Sequence, residues 1–128
     1  MTIARQALGA LGERVAARWL RARGWRVVAE RYRSGHRDVD LIVLRGGQVA
    51  FVEVKTRRGL GFGDPATAVG WRKRRELTRS AQIWADRFGG PGLAYRFDVV
   101  AVLVTPAGVR VRHLEDAFPA HAGGDRSA

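Results

Sequence analysis

The sequence predicts an α/β fold, a mixed β-sheet flanked by helices in the order α-β-β-β-α-β-β. Three observations carry that prediction. Two segments, residues 3–23 and 71–88, repeat apolar side chains at helical spacing. Two short apolar runs meet at Gly46-Gly47, the signal of a tight hairpin. A third run, residues 99–104, is apolar on both faces, as in a strand covered by helices.

In residues 3–23 the stripe is Leu8, Leu11, Val15 and Trp19, widened by Ala16 and Leu20. Gly24 is a natural stop. Gly9 and Gly12 weaken the first turns, so the helix is expected to begin nearer Ala10. Glu13 falls at the margin of the apolar face. Residues 25–32 read as a strand and 33–37 as a turn. The hairpin strands are Asp38-Val-Asp-Leu-Ile-Val-Leu-Arg45 and Gln48-Val-Ala-Phe-Val-Glu-Val-Lys55. Residues 57–70 form a glycine-rich loop without the pattern of a P-loop or a dinucleotide fingerprint. The second helix, 71–88, places Leu77, Ala81, Trp84, Ala85 and Phe88 on one face, and Arg72, Lys73, Arg74 and Arg75 in its first turns. A strand over 95–105 and an edge strand over 109–114 complete the sheet; in the latter Val109 and Val111 alternate with Arg110 and Arg112. One domain over residues 1–118 is expected, with 119–128 a disordered tail.

The bulk composition narrows the function. No apolar run approaches the roughly 18 residues of a membrane span, and the first residues lack a secretory pattern. Cysteine is absent, which excludes disulfides, thiol catalysis and cysteine-based zinc sites. His36, His113 and His121 are scattered and are expected at the surface. A soluble, cytoplasmic protein is predicted. Its net charge of +11 calls for a polyanionic partner, nucleic acid before a membrane surface. Neither helix has the unbroken basic-amphipathic pattern of a membrane binder. Arginine bias alone would also make an alkaline surface. Twenty-one of the 23 basic residues are arginine, and Lys55 and Lys73 are the exceptions. A lysine retained against that bias marks a position where a compact, deprotonatable point charge is wanted.

Charge is unevenly distributed. Residues 1–37 hold nine basic and two acidic groups, and 57–98 hold nine and four. Between them, residues 38–56 set Asp38, Asp40 and Glu53 against Arg45 and Lys55. A carboxylate cluster inside a positive field suits a divalent cation beside phosphate. A two-residue Gly-Gly turn places Arg45 opposite Gln48, Asp40 opposite Glu53 and Asp38 opposite Lys55. Alternation then gathers all four ionisable groups on one patch of an apolar hairpin. Two facing carboxylates repel, and a bound Mg²⁺ relieves the repulsion while accepting a phosphate oxygen. A lysine on the same face can stabilise charge developing on that phosphate. That is the equipment of phosphodiester hydrolysis.

Asp40 followed by Glu53-Val54-Lys55 resembles the PD-(D/E)xK motif of the restriction-endonuclease-like superfamily. More closely, the chain resembles the YraN-like family of predicted endonucleases, related to archaeal Holliday-junction resolvases. The matching stretches are Gly12-Glu13, Asp38-Val-Asp-Leu-Ile, Phe51-Val-Glu-Val-Lys-Thr-Arg57, Phe62-Gly-Asp-Pro65, Lys73 with Leu77 and Ala81, and Arg96-Phe-Asp-Val-Val100. Asp38 stands where the family usually has glutamate, which keeps the charge and shortens the reach. The resemblance implies a restriction-endonuclease-like sheet and a Mg²⁺ (or Mn²⁺) site at Asp40, Glu53 and the Val54 carbonyl. It also implies catalysis by Lys55 with support from Glu13. The substrate it implies is DNA ahead of RNA, branched or arising in repair. A homodimer is the arrangement suggested by resolvases that act on paired strands.

Each residue also has an ordinary reading. Glu-x-Lys arises by chance in roughly one sequence in twelve of this composition; the facing acid and apolar surroundings distinguish this one. Asp98 beside Arg96 reads as a structural ion pair, and Asp64 before Pro65 as turn chemistry. Arg72, Lys73 and Arg74 oppose the helix dipole, and phosphate contact would explain that cost; Arg57 and Arg58 join them as candidate backbone contacts. The tryptophans belong in the core, with Trp71 the candidate exception. The competing functions are a non-catalytic nucleic-acid-binding module on the same fold and a module that meets an acidic protein or lipid.

Overall fold

The computed structural model describes residues 3–35, 37–59 and 69–120. The apolar spacing closes into two helices, α1 (Ile3–Ala22) and α2 (Trp71–Phe88). The strands are β1 (Arg26–Ser34), β2 (Arg37–Arg45), β3 (Gln48–Arg58), β4 (Ala94–Thr105) and β5 (Gly108–Phe118). They form one sheet in the order β1-β2-β3-β4-β5. β3 and β4 run parallel, joined through α2, and the other neighbours are antiparallel. The mixed α/β order read from the sequence is the observed one.

The helices cover opposite faces of the sheet. Leu41, Val43, Ala50, Val52, Val100 and Val102 pack with Ala16, Ala17 and Leu20 of α1. Ile42, Val49, Phe51, Phe97 and Val99 pack with Leu77, Ala81 and Trp84 of α2. Alternation along each strand supplies both layers. No helix among the described residues is long and apolar enough to cross a membrane.

α1 differs from expectation in a way that shapes the site. It runs unbroken through Gly9 and Gly12, and its buried line is Gly12, Ala16, Ala17 and Leu20. Leu8, Leu11, Val15 and Trp19 are only half-buried. The reason is contact distance. A Cβ at Gly12 would collide with the Thr56 side chain on β3. The glycine that weakens an isolated helix lets this one lie close to the sheet.

Strand ends also differ. β3 continues to Arg58, into the expected loop, because it pairs with β4 as far as Arg58↔Val104. β5 extends past Leu114 to Phe118, which stacks on Phe97 at 5.2 Å. The rest of the glycine loop (60–68), His36, and the expected tail from residue 121 onward lie outside the described residues.

The step of alternation breaks where β1 meets β2 beside Asp40. Val39 and Ile42, three residues apart, both join the α2 layer, and so do Ala29 and Tyr32 of β1. Leu41 and Val27 join the α1 layer. Arg31, between Ala29 and Tyr32, has a positive φ of 51°. A non-glycine residue in that region stores strain, and such strain concentrates at functional sites.

Candidate active site

The hairpin has the register expected from its Gly-Gly turn, from Arg45↔Gln48 to Leu41↔Val52. At the next position the ladder yields to a side chain. Asp40 Oδ2 accepts the Val54 N–H at 2.8 Å. Its carboxyl therefore reaches into the opening between β2 and β3. The N–H and C=O of a strand residue point toward the same neighbour, so the Val54 carbonyl turns toward this opening too.

Glu53 lies on the α2 side and is 6% exposed. Both lysines of the chain flank it. Lys55 Nζ is 3.5 Å from Oε2, and Lys73 Nζ, arriving from α2, is 3.9 Å from Oε1. Lys73 also makes a long hydrogen bond of 3.5 Å to the Asp38 carbonyl. Among the described residues, Glu53 Oε1 is buried without a hydrogen-bond partner. A buried acceptor in that state is costly unless a ligand or ion completes it.

The Asp40 carboxyl is pushed up to about 7. Loss of hydration is the main cause and the Glu53 charge the second, with Glu13 adding to them; the Val54 hydrogen bond and Lys73 act in the opposite direction. The Glu53 contribution is the facing-acid repulsion expected from the sequence; burial adds the larger part. Glu13 comes from α1, with Oε1 2.8 Å from Arg31 Nε. Arg31 holds it at the margin. Among the described residues, no set of three or more acids or histidines could hold a metal unaided. Two carboxylates and the Val54 carbonyl are the donors on offer, and the unpartnered Glu53 oxygen fits a cation there.

Asp38 is not part of this arrangement. Its predicted place opposite Lys55 is lost because the register ends at Leu41↔Val52 and the alternation changes step at Asp40. Its carboxylate lies 3.9 Å from Arg33 and is 45% exposed.

The candidate nucleic-acid contacts divide. Arg57, Arg58 and Arg72 are exposed. Arg74 turns inward: its Nε donates to the Val69 carbonyl at 2.8 Å and its guanidinium lies 4.8 Å from the centre of the Phe118 ring. Lys73 stands inside the acid cluster, not on an outward face. Trp71 is 60% exposed, apart from the buried Trp25 and Trp84. Asp98 is fully buried and structural, as expected, with Arg96 Nη2 at 3.2 Å and the Asp116 N–H at 2.9 Å. His113, expected at the surface, is instead buried with its Nε2 2.7 Å from Asp98.

The comparison with known proteins covers the same stretch of chain. The model of the uncharacterised protein family UPF0102 matches residues 12–102, a span that runs from the Gly12 contact through every residue of the cluster. The chain belongs to UPF0102. The UPF0102 protein of Nocardia farcinica is 50% identical over 116 residues, 89% of this chain and 91% of the relative. That of Symbiobacterium thermophilum is 45% identical over 116 residues, 88% of this chain and 97% of the relative. That of Rhodococcus jostii is 44% identical over 113 residues, covering 88% and 96%. The matched span of UPF0102 also includes Arg31, which pattern reading passed over. One more arginine carries little signal among 21, and a positive φ leaves no mark in sequence.

Proposed function

We propose that the chain is a metal-dependent phosphodiesterase, an endonuclease that acts on DNA. One observation carries the reading: a buried glutamate, one of whose oxygens has no hydrogen-bond partner among the described residues, sits beside an aspartate whose carboxyl is pushed up to about 7, and both lysines of the chain flank it. A structural ion pair needs one cation and satisfied acceptors; this cluster has neither economy.

Asp40, Glu53 and the Val54 carbonyl would hold Mg²⁺ or Mn²⁺. When bound, the ion supplies Lewis-acid polarisation of the phosphodiester and acidifies the attacking water. Lys55, on the face of Glu53, stabilises negative charge growing on the phosphate. Lys73 adds a second positive charge from α2. Glu13, steadied by Arg31, contributes negative potential from the α1 side. The net charge of +11 draws a polyanion to the molecule.

The test incubates purified protein with supercoiled, single-stranded and four-way-junction DNA, with and without Mg²⁺ or Mn²⁺. Metal-dependent cleavage lost in Asp40→Ala and Lys55→Ala is the expected result. Cleavage that survives either substitution overturns the assignment. Tight, salt-sensitive binding with no metal dependence would place the chain among binding modules instead.

A further inference from the structure

Beyond Glu53 the sheet continues past the acid cluster, and its two faces differ. On β3, Val52 and Val54 pack in the α1 layer, so Glu53, Lys55 and Arg57 point to the α2 side. Parallel pairing sets Lys55 beside Ala101 and Arg57 beside Leu103. Antiparallel pairing then sets Ala101 beside Arg112 and Leu103 beside Arg110. Val111 packs in the α1 layer, which fixes Arg110 and Arg112 on the α2 side as well. Directly paired residues share a face. Two rows result, Lys55–Ala101–Arg112 and Arg57–Leu103–Arg110, each with a cation at both ends and a buried apolar residue between them. Neither row contains an acid.

We propose that this α2-side platform of β3, β4 and β5 is the track on which the phosphodiester backbone of the substrate lies as it enters the acid cluster. The inference rests on the nucleic-acid reading above and assigns it a surface. The geometry fits the occupant. Cations within a row stand roughly 10 Å apart across two strand spacings, and the rows are about 6.6 Å apart along the strands. That second spacing is close to twice the roughly 3.4 Å axial rise per phosphate of one strand. Arg57, Arg110 and Arg112 are exposed, and the apolar stems of such long side chains can line the floor. Lys55 belongs both to the platform and to the cluster, so the track is continuous with the reacting position. Charge on an edge strand also protects against edge pairing, which accounts for β5 alone. It does not account for Arg57, on the inner strand β3 and on the same face.

The test measures anisotropy of labelled single- and double-stranded DNA at several salt concentrations without metal. Arg110→Glu with Arg112→Glu is compared with Arg14→Glu plus Arg18→Glu, an equal charge change at exposed positions on α1. The platform pair is expected to weaken binding about tenfold or more and to flatten the salt slope by about two. The α1 pair is expected to change affinity less than threefold. The milder Arg110→Gln with Arg112→Gln, checked by circular dichroism, separates lost contacts from lost folding. Equal losses in both pairs, or none at Arg110 and Arg112, overturn the platform while metal-dependent cleavage by wild type leaves the nuclease reading intact. Wild type that neither binds nor cleaves DNA overturns both.

Discussion

Asp40 takes the Val54 N–H that a continuing β-ladder would have used, at 2.8 Å. The side chain thereby ends the pairing of β2 and β3 and opens the gap in which the acids meet. The same hydrogen bond makes Asp40→Asn an informative substitution. The amide oxygen still accepts from Val54, and the buried charge is gone. Asp40→Asn is expected to melt at or above the wild-type temperature without metal at pH 8, and to lose any stabilisation by Mg²⁺. A large drop in melting temperature would show that the carboxylate itself supports the fold.

The raised Asp40 pKa fixes the sign of a pH effect. The folded state holds this proton up to about pH 7, whereas an unfolded chain releases it near 3.9. Folding is therefore favoured most below the unfolded value, and this contribution is lost as pH rises through about 7. Metal-free protein should lose thermal stability between about pH 4 and 8, and Mg²⁺ should restore more of it at pH 8 than at pH 6. Thermal melts at those values, with and without Mg²⁺, check both statements.

The two lysines make separable contributions. Lys55→Ala is expected to lower kcat by on the order of a hundredfold or more, and, because Lys55 also stands 3.5 Å from Glu53, to tighten Mg²⁺ binding as well. Lys73→Ala removes a cation 3.9 Å from Glu53, so Mg²⁺ should bind more tightly while kcat falls less. Calorimetric titration with Mg²⁺ and steady-state cleavage read the two effects. Weaker Mg²⁺ binding in Lys73→Ala would refute its assignment as a competing cation.

The two early glycines of α1 should respond in opposite directions. Gly9 has open space where a Cβ would go, and Gly9→Ala is expected to stabilise by about 0.5–1 kcal/mol. Gly12 meets Thr56, and Gly12→Ala is expected to destabilise by about 1–3 kcal/mol despite its better helix propensity. Urea unfolding of both variants decides the matter.

Asp98 marks the difference between a structural and a reacting carboxylate. It is fully buried with its oxygens partnered by Arg96, His113 and the Asp116 N–H. Asp98→Ala is expected to cost roughly 3–5 kcal/mol. Cleavage per folded molecule should be unchanged, measured well below the variant's melting temperature.

Element order and hairpin register were legible because periodicity and a Gly-Gly turn are local signals. The nearness of Asp40 to Glu53 followed from that register, although the ladder itself stops one position earlier, at Leu41↔Val52. What the sequence could not show arose from contacts between distant segments. Lys73 looked like an outward helix-start cation; only the packing of α2 turns it onto Glu53. Gly12 looked like a weak point in the first turns of the helix until β3 supplied Thr56. His113 looked superficial because its partner, Asp98, lies on the neighbouring strand. Asp38 shared the parity of Asp40 on paper, and the change of step in β2 beside Asp40, across from Arg31, broke that parity.

The parallel pairing of β3 with β4 has a kinetic consequence. The β2–β3 hairpin closes through two residues, while Gln48 meets Ala94 only after the whole α2 crossover is in place. Short loops close at lower entropic cost and sooner than long ones. Asp40 and Glu53 are thus brought together before Lys73 arrives to offset their charge. During that interval Lys55, on the same strand as Glu53, and a proton on Asp40 share the relief. The chain should therefore refold fastest in mildly acidic solution, and Mg²⁺ present from the start should remove that preference.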